Sequence, residues 1–145
     1  MTHLLDVNLL IALAWPSHVH HRKAQQWFQQ TGQKGWASCP ITQTAFVRIS
    51  SNPKFIDGAV SPQEAISLLT KATASKHHEF WVDDIEVGEG NALPLTHLIG
   101  HRQVTDLYLI GLAMEHKAKL ATLDSGVRAL LPKAADQKKF LEFLV

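Results

Sequence analysis

Three aspartates stand where an α/β chain can do chemistry. Asp106 opens an apolar helical pattern, Asp124 ends the apolar run Leu120-Ala121-Thr122-Leu123, and Asp6 ends the short apolar run at the amino terminus. Carboxylates gathered at one place repel one another unless a cation joins them. Oxygen-only ligand sets with open positions suit Mg²⁺, with Mn²⁺ as the close substitute. Such an ion activates water and stabilises charge on a phosphoryl oxygen, so the substrate class is a phosphodiester or another phosphate ester. Each aspartate also has a plain structural use. An acidic residue in a first helical turn complements the dipole, and Asp before Ser-Gly favours a turn. The chemical reading therefore requires all three to meet.

The positioning elements follow from patterning. Thr105 is expected to cap a helix in which Leu107, Ile110, Gly111 and Met114 form an inward face. The apolar run from Leu120 to Leu123 suits a strand buried on both faces. Thr2 to Leu5 reads as a first strand, with a helix starting near Asn8, so Asp6 sits where strand gives way to helix. Ser17 is expected to cap a second helix running to about Thr31, with Gly32 as its stop. Residues 35–39 read as a strand, Pro40 opens a helix carrying Ile41, Ala45, Phe46 and Ile49, and Ser61-Pro62 opens another. Residues 79–84 read as a third, aromatic strand, with Asp83 and Asp84 as weaker site candidates. A polar stretch with Glu86, Gly88, Glu89 and Gly90 follows, then a short helix within residues 91–100. Ser125 to Leu131 reads as a short helix stopped by Pro132, and the last residues fit either an edge strand or a helical turn. Alternating strands and helices predict an α/β fold with a mostly parallel sheet covered by helices, in one domain over residues 1–145. Ligands sit beyond the carboxyl ends of the strands of such a sheet.

Composition narrows the field. The formal charge of +1 carries no bulk basic signal for nucleic acid. The single cysteine, Cys39, excludes an internal disulfide and fits a reducing compartment. No signal-peptide pattern and no apolar run of membrane-spanning length occurs, so a soluble cytoplasmic protein is expected. His18, His20 and His21 lack partner ligands at zinc-site spacing and read as structural or surface residues. P-loop, dinucleotide and Gly-x-Ser-x-Gly motifs are absent. A receiver or phosphatase fold would need an acidic pair or Asp-x-Asp at the first strand end; here that end reads Asp6-Val7-Asn8.

Several segments together resemble a PIN domain, and most of all the VapC-type toxins of bacterial toxin–antitoxin pairs. They are Leu5-Asp6-Val7-Asn8-Leu9-Leu10, Cys39-Pro40-Ile41-Thr42-Gln43 with Phe46-Val47-Arg48, Asn52-Pro53, Phe80-Trp81, residues 100–106 and residues 120–124. The resemblance implies a three-layer α/β/α fold and a Mg²⁺- or Mn²⁺-dependent endoribonuclease. Asp6, Asp106 and Asp124 match the family's acidic metal positions, Thr122 a hydroxyl residue of the same motif, and Asn8 a position near the metal. Arg48, Arg102 and Gln103 are candidate contacts to phosphate or base. The implied partners are an RNA substrate, a cognate VapB-type antitoxin and a second copy of the chain. Ala45 stands where many relatives carry glutamate. The site is then one carboxylate short, with Gln43 or Thr44 the nearest polar substitutes, so one ion rather than two is expected. A domain that binds RNA or antitoxin without cutting is the alternative.

Overall fold

The computed structural model describes residues 1–88 and 93–144. The predicted polar stretch at Glu89 and Gly90, the first two residues of the predicted helix over 91–100, and Val145 lie outside the described residues. In chain order the elements are β1 (His3–Leu5), α1 (Val7–Ala14), α2 (His21–Gln30), β2 (Trp36–Ser38), α3 (Pro40–Ser50), α4 (Pro62–Thr73), β3 (His78–Phe80), α5 (Val104–Glu115), β4 (Lys119–Thr122), α6 (Ala134–Phe140) and β5 (Leu141–Phe143). Short 3₁₀ turns cover Leu95–His97, His101–Gln103 and Ser125–Leu130.

The strands pair in the order β3-β2-β1-β4-β5, and every pairing is parallel. This is the expected α/β sheet, wholly rather than mostly parallel among the described residues. The two apolar faces of β1 explain the layers. Leu4 points into a cluster with Leu107, Leu109, Leu112 and Leu120 under α5. Leu5 points the other way, to Leu9, Trp36, Phe46 and Ala121 under α1 and α3. A strand sealed on both sides needs this unbroken apolar run, and the result is α/β/α.

Parallel strands return by crossovers, so their carboxyl ends share one edge. β1 lies between β2 and β4, with Leu4 level with Ala37 and with Leu120. That register brings the chain's first and last thirds side by side.

Several boundaries differ from the sequence reading. α5 opens two residues earlier than a Thr105 cap implies, and Thr105 does not cap it. The turn at His101–Gln103 runs straight into the helix and takes over the role of a cap. α2 opens at His21 rather than after Ser17, because His18 and His20 are held in a turn: His20 N donates to His18 Nδ1 at 3.0 Å. β3 is shorter than residues 79–84, though Trp81 N still donates to Ser38 O at 2.9 Å. The tail is both a helix and a strand: α6 leads directly into β5 on the sheet's edge. No described helix is long and apolar enough to cross a membrane.

Candidate functional site

Asp6 follows the last residue of β1 and is 4% exposed. Its extended backbone serves as the N-cap of α1, and Oδ1 accepts from Val7 N at 2.8 Å. The structural use of this aspartate is therefore real, but it occupies only one carboxylate oxygen. Oδ2 accepts the Thr122 hydroxyl at 2.8 Å, with Asn8 Nδ2 at 3.5 Å. Thr122 ends β4, next to β1, and is 1% exposed.

Thr122 is a node rather than a single bond. Its oxygen also receives Asn8 Nδ2 at 3.3 Å and Asp124 N at 3.0 Å. Asn8 closes the loop by accepting Leu123 N on Oδ1 at 3.2 Å. The hydroxyl has one proton, which goes to Asp6, and its lone pairs take the amide and backbone donors. Each group in the ring thus fixes the next one's rotamer. Asn8 and Thr122, expected to support the site, hold Asp6 and the backbone of Asp124 in place.

Asp124 is exposed, and its Oδ1 accepts Gly126 N at 2.9 Å to start the following turn. The turn role read from Asp-Ser-Gly is thus present too. Asp106 lies half-buried in the first turn of α5, and among the described residues neither a hydrogen bond nor an ion pair reaches its carboxylate. Its carboxyl is pushed up to about 7, first by burial and then by the charges of Asp6 and Asp124. Burial also raises Asp6, opposed by the Thr122 and Val7 bonds, with the Asp124 charge adding to the rise. The three aspartates therefore share one electrostatic environment, and no described lysine or arginine neutralises them. They are not packed into a ready ligand cage. Among the described residues no group of three His, Cys, Asp or Glu side chains is gathered closely enough to hold an ion as it stands. In donor chemistry and charge, the set fits a hard divalent cation.

The other predicted residues are spread around this centre. Gln43, in the first turns of α3, donates Nε2 to Ser38 Oγ at 3.0 Å, and that oxygen also meets His78 Nε2 at 2.8 Å. The amide is thereby tied to β2 and β3, and no described hydrogen bond links it to the aspartates. Ala45 is 8% exposed and part of the packed interior, so its position adds no polar group. Arg48 lies in the last turn of α3, exposed, where its charge suits the helix dipole. Eight residues of helix separate it from the strand edge, about 12 Å along the axis. Arg102 is exposed in the turn before α5. Gln103 Oε1 accepts Ile99 N at 2.9 Å and Gly100 N at 3.2 Å, which shapes the loop leading to Asp106. A cavity of about 430 Å³ lies elsewhere, between α1, α2, α3 and α4, and none of the aspartates lines it.

One group near the site escaped the sequence reading. Arg128, in the turn after Asp124, lies with its guanidinium 4.4 Å over the ring of Phe143. Phe143 is level with Thr122 across the β4–β5 pairing. Arg128 carries no motif, and the contact depends on the tail becoming a strand, which periodicity left open.

The chain is similar to known proteins over most of its length. It is 46% identical to Ribonuclease VapC39 of Mycobacterium tuberculosis over 127 residues, covering 88% of this chain and 91% of the relative. It is 42% identical to Ribonuclease VapC38 of the same organism, with 88% of each chain covered. Its fold matches a chain of the crystal structure of VapBC2 from Rickettsia felis bound to a promoter DNA fragment. There the TM-score is 0.58 at 13% identity, covering 99% of this chain and 98% of that one. No family model matches the chain.

Proposed function

The chain belongs to the VapC ribonuclease family, and from that premise we propose that it is the ribonuclease toxin of a toxin–antitoxin pair, hydrolysing RNA phosphodiester bonds with the help of Mg²⁺ or Mn²⁺. The observation that carries the chemistry is the shared charge of Asp6, Asp106 and Asp124, which raises Asp106 to about 7 with no described cation to offset it. A divalent ion allows all three to be ionised at neutral pH.

Asp6, Asp106 and Asp124 would hold the ion. When bound, it supplies Lewis acidity toward the phosphoryl group and lowers the pKa of attacking water. The chain's own residues do the positioning. The Thr122 hydroxyl and the Asn8 amide fix the Oδ2 side of Asp6, and Val7 N fixes the Oδ1 side. Thr122 also pins the backbone of Asp124. Of the three carboxylates only Asp6 is held on both oxygens in advance, and Asp106 and Asp124 would close in on the ion around it. With Ala45 inside the packed interior, the site has one carboxylate fewer than a two-ion centre and suits a single ion.

A VapB-type antitoxin is the proposed protein partner, supported by the VapBC2 complex of Rickettsia felis as the matching fold. A homodimer and a cytoplasmic site of action complete the reading. Expression toxicity and cleavage of a structured RNA test it. Wild-type protein with Mg²⁺ or Mn²⁺ cuts, whereas Asp6→Asn and Asp106→Asn neither cut nor arrest growth. An RNA that is bound but left intact by the wild type would favour the non-cutting alternative.

A further inference from the structure

Arg128 is held in an unusual way for an exposed cation. Its turn is anchored by Val127 and Leu130, 0% and 1% exposed, on either side of it. Gln137 Nε2 donates to Leu131 O at 2.8 Å and to Arg128 O at 3.4 Å, which fastens the end of the turn to α6. Arg128 Nε donates to Ser125 O at 3.5 Å, and the guanidinium face rests on Phe143. Stacking on an aromatic ring uses the face of the guanidinium and leaves the Nη edges free. Among the described residues no carboxylate pairs with those edges.

The placement relative to the aspartates matters. Leu120 and Leu141 are level on adjacent strands and enter the same cluster, beneath α5. Two residues on, Thr122 and Phe143 therefore face the same way, toward the side on which Thr122 meets Asp6. The turn from Asp124 to Arg128 spans at most about 8 Å at 3₁₀ rise. A positively charged, preoriented fork thus stands over β5, the strand beside the one that carries Thr122.

We infer that Arg128, held on Phe143, is a substrate-binding residue that grips an RNA phosphate next to the one being cleaved. This rests on the ribonuclease reading above. An arginine fork matches phosphate geometry, and its ordering cost has already been met by the stack and the turn. Phe143 serves as the platform and acts through Arg128.

The test measures cleavage of one structured RNA in Mg²⁺ at several salt concentrations, with wild type, Arg128→Ala, Arg128→Lys, Phe143→Leu and Lys34→Ala. Lys34 lies in the turn before β2, at the opposite end of the strands. Circular dichroism melts of each variant check folding. The expected result for Arg128→Ala is a KM about 5- to 30-fold higher, with a kcat changed less than about threefold. The slope of log(1/KM) against log salt should shrink by about 0.7, the value for one single-strand phosphate. Arg128→Lys restores the salt slope but not the full KM, since lysine lacks the fork. Phe143→Leu raises KM while keeping the salt slope. A folded Arg128→Ala protein with wild-type KM and slope, or a Lys34→Ala loss of equal size, overturns the assignment. Wild-type protein that leaves RNA intact while Asp6→Asn behaves identically fails the ribonuclease reading itself, a different outcome from the other two.

Discussion

The hydroxyl of Thr122 donates to Asp6 Oδ2 at 2.8 Å across 116 residues of sequence. The same oxygen receives Asn8 Nδ2 and Asp124 N, so one buried side chain connects three parts of the site. Thr122→Val keeps the shape and removes the bonds. It leaves a buried carboxylate short of a donor, and destabilisation of about 1–3 kcal/mol is expected. Cleavage should fall about 10- to 100-fold, mostly in kcat, because Asp6 loses its fixed orientation. Thr122→Ser keeps the hydroxyl and should recover most of the activity. Urea melts and steady-state cleavage of the three proteins check this; equal kcat for the valine and serine forms would refute the positioning role.

Asp106 predicts a pH dependence opposite to that of an ordinary surface carboxylate. Its folded value of about 7 lies above the unfolded value near 3.8. Between the two, the folded state binds more protons, so stability falls as pH rises from about 4 through about 7. In chelator-treated protein the melting temperature should therefore drop between pH 5 and pH 8. Asp106→Asn removes that slope and should melt higher than wild type at pH 8. Adding Mg²⁺ at pH 8 should raise wild type and leave Asp106→Asn nearly unchanged, read by thermal shift.

His3 works in the other direction. It sits on β1, 5% exposed, and Nδ1 has no hydrogen-bond partner among the described residues. Burial, then the Lys119 charge and the amino terminus, lower its pKa to about 4. Above about 6.5 the ring is neutral in both states and adds no slope. As pH falls from 6.5 to 4, the unfolded chain takes a proton that the folded chain refuses, so stability is lost. His3→Phe retains a ring beside Trp27 and should flatten this acid limb by a visible amount in denaturant titrations at pH 4.5 and 7. An identical pH difference in the two proteins would show that His3 is not the source.

Lys117 offers a test away from the site. It ends α5 in the left-handed conformation, φ 53°, and Ala118 N donates to Ala113 O at 2.8 Å in the closing turn. A side chain in that region costs energy that glycine avoids. Lys117→Gly should gain about 0.5–1 kcal/mol, net of glycine's greater freedom when unfolded. A melting temperature higher by about 1–4 °C with unchanged cleavage is the expected readout.

Much of the site was legible because each aspartate sits at a junction that local pattern marks. Asp6 follows an apolar strand, Asp124 lies just past another, and Asp106 lies in the first turn of an apolar helix, which the structure buries on all faces from Leu107 to Ala113 rather than on one inward face. Alternation of strands and helices then implied their common edge. What sequence could not supply was pairing between distant polar atoms. The Gln43–Ser38–His78 chain depends on β3 lying against β2, which no periodicity encodes. The Thr105 cap failed because a 3₁₀ turn ahead of α5 replaced a side-chain cap with backbone. Arg128 stayed invisible for the same reason as β5: its partner came from a tail whose pattern fitted two structures equally well.

The order of the strands also governs when the polar ring around Asp6 can form. β1 leaves the ribosome well before its neighbour β4, and the partner hydroxyl of Asp6 is encoded 116 residues after it. An unfinished chain, or one cut short by a premature stop before residue 122, lacks the geometry that orients Asp6. Under the proposed ribonuclease function, the nascent polypeptide is expected to stay inert until the Thr122 hydroxyl has been made and docked on Asp6.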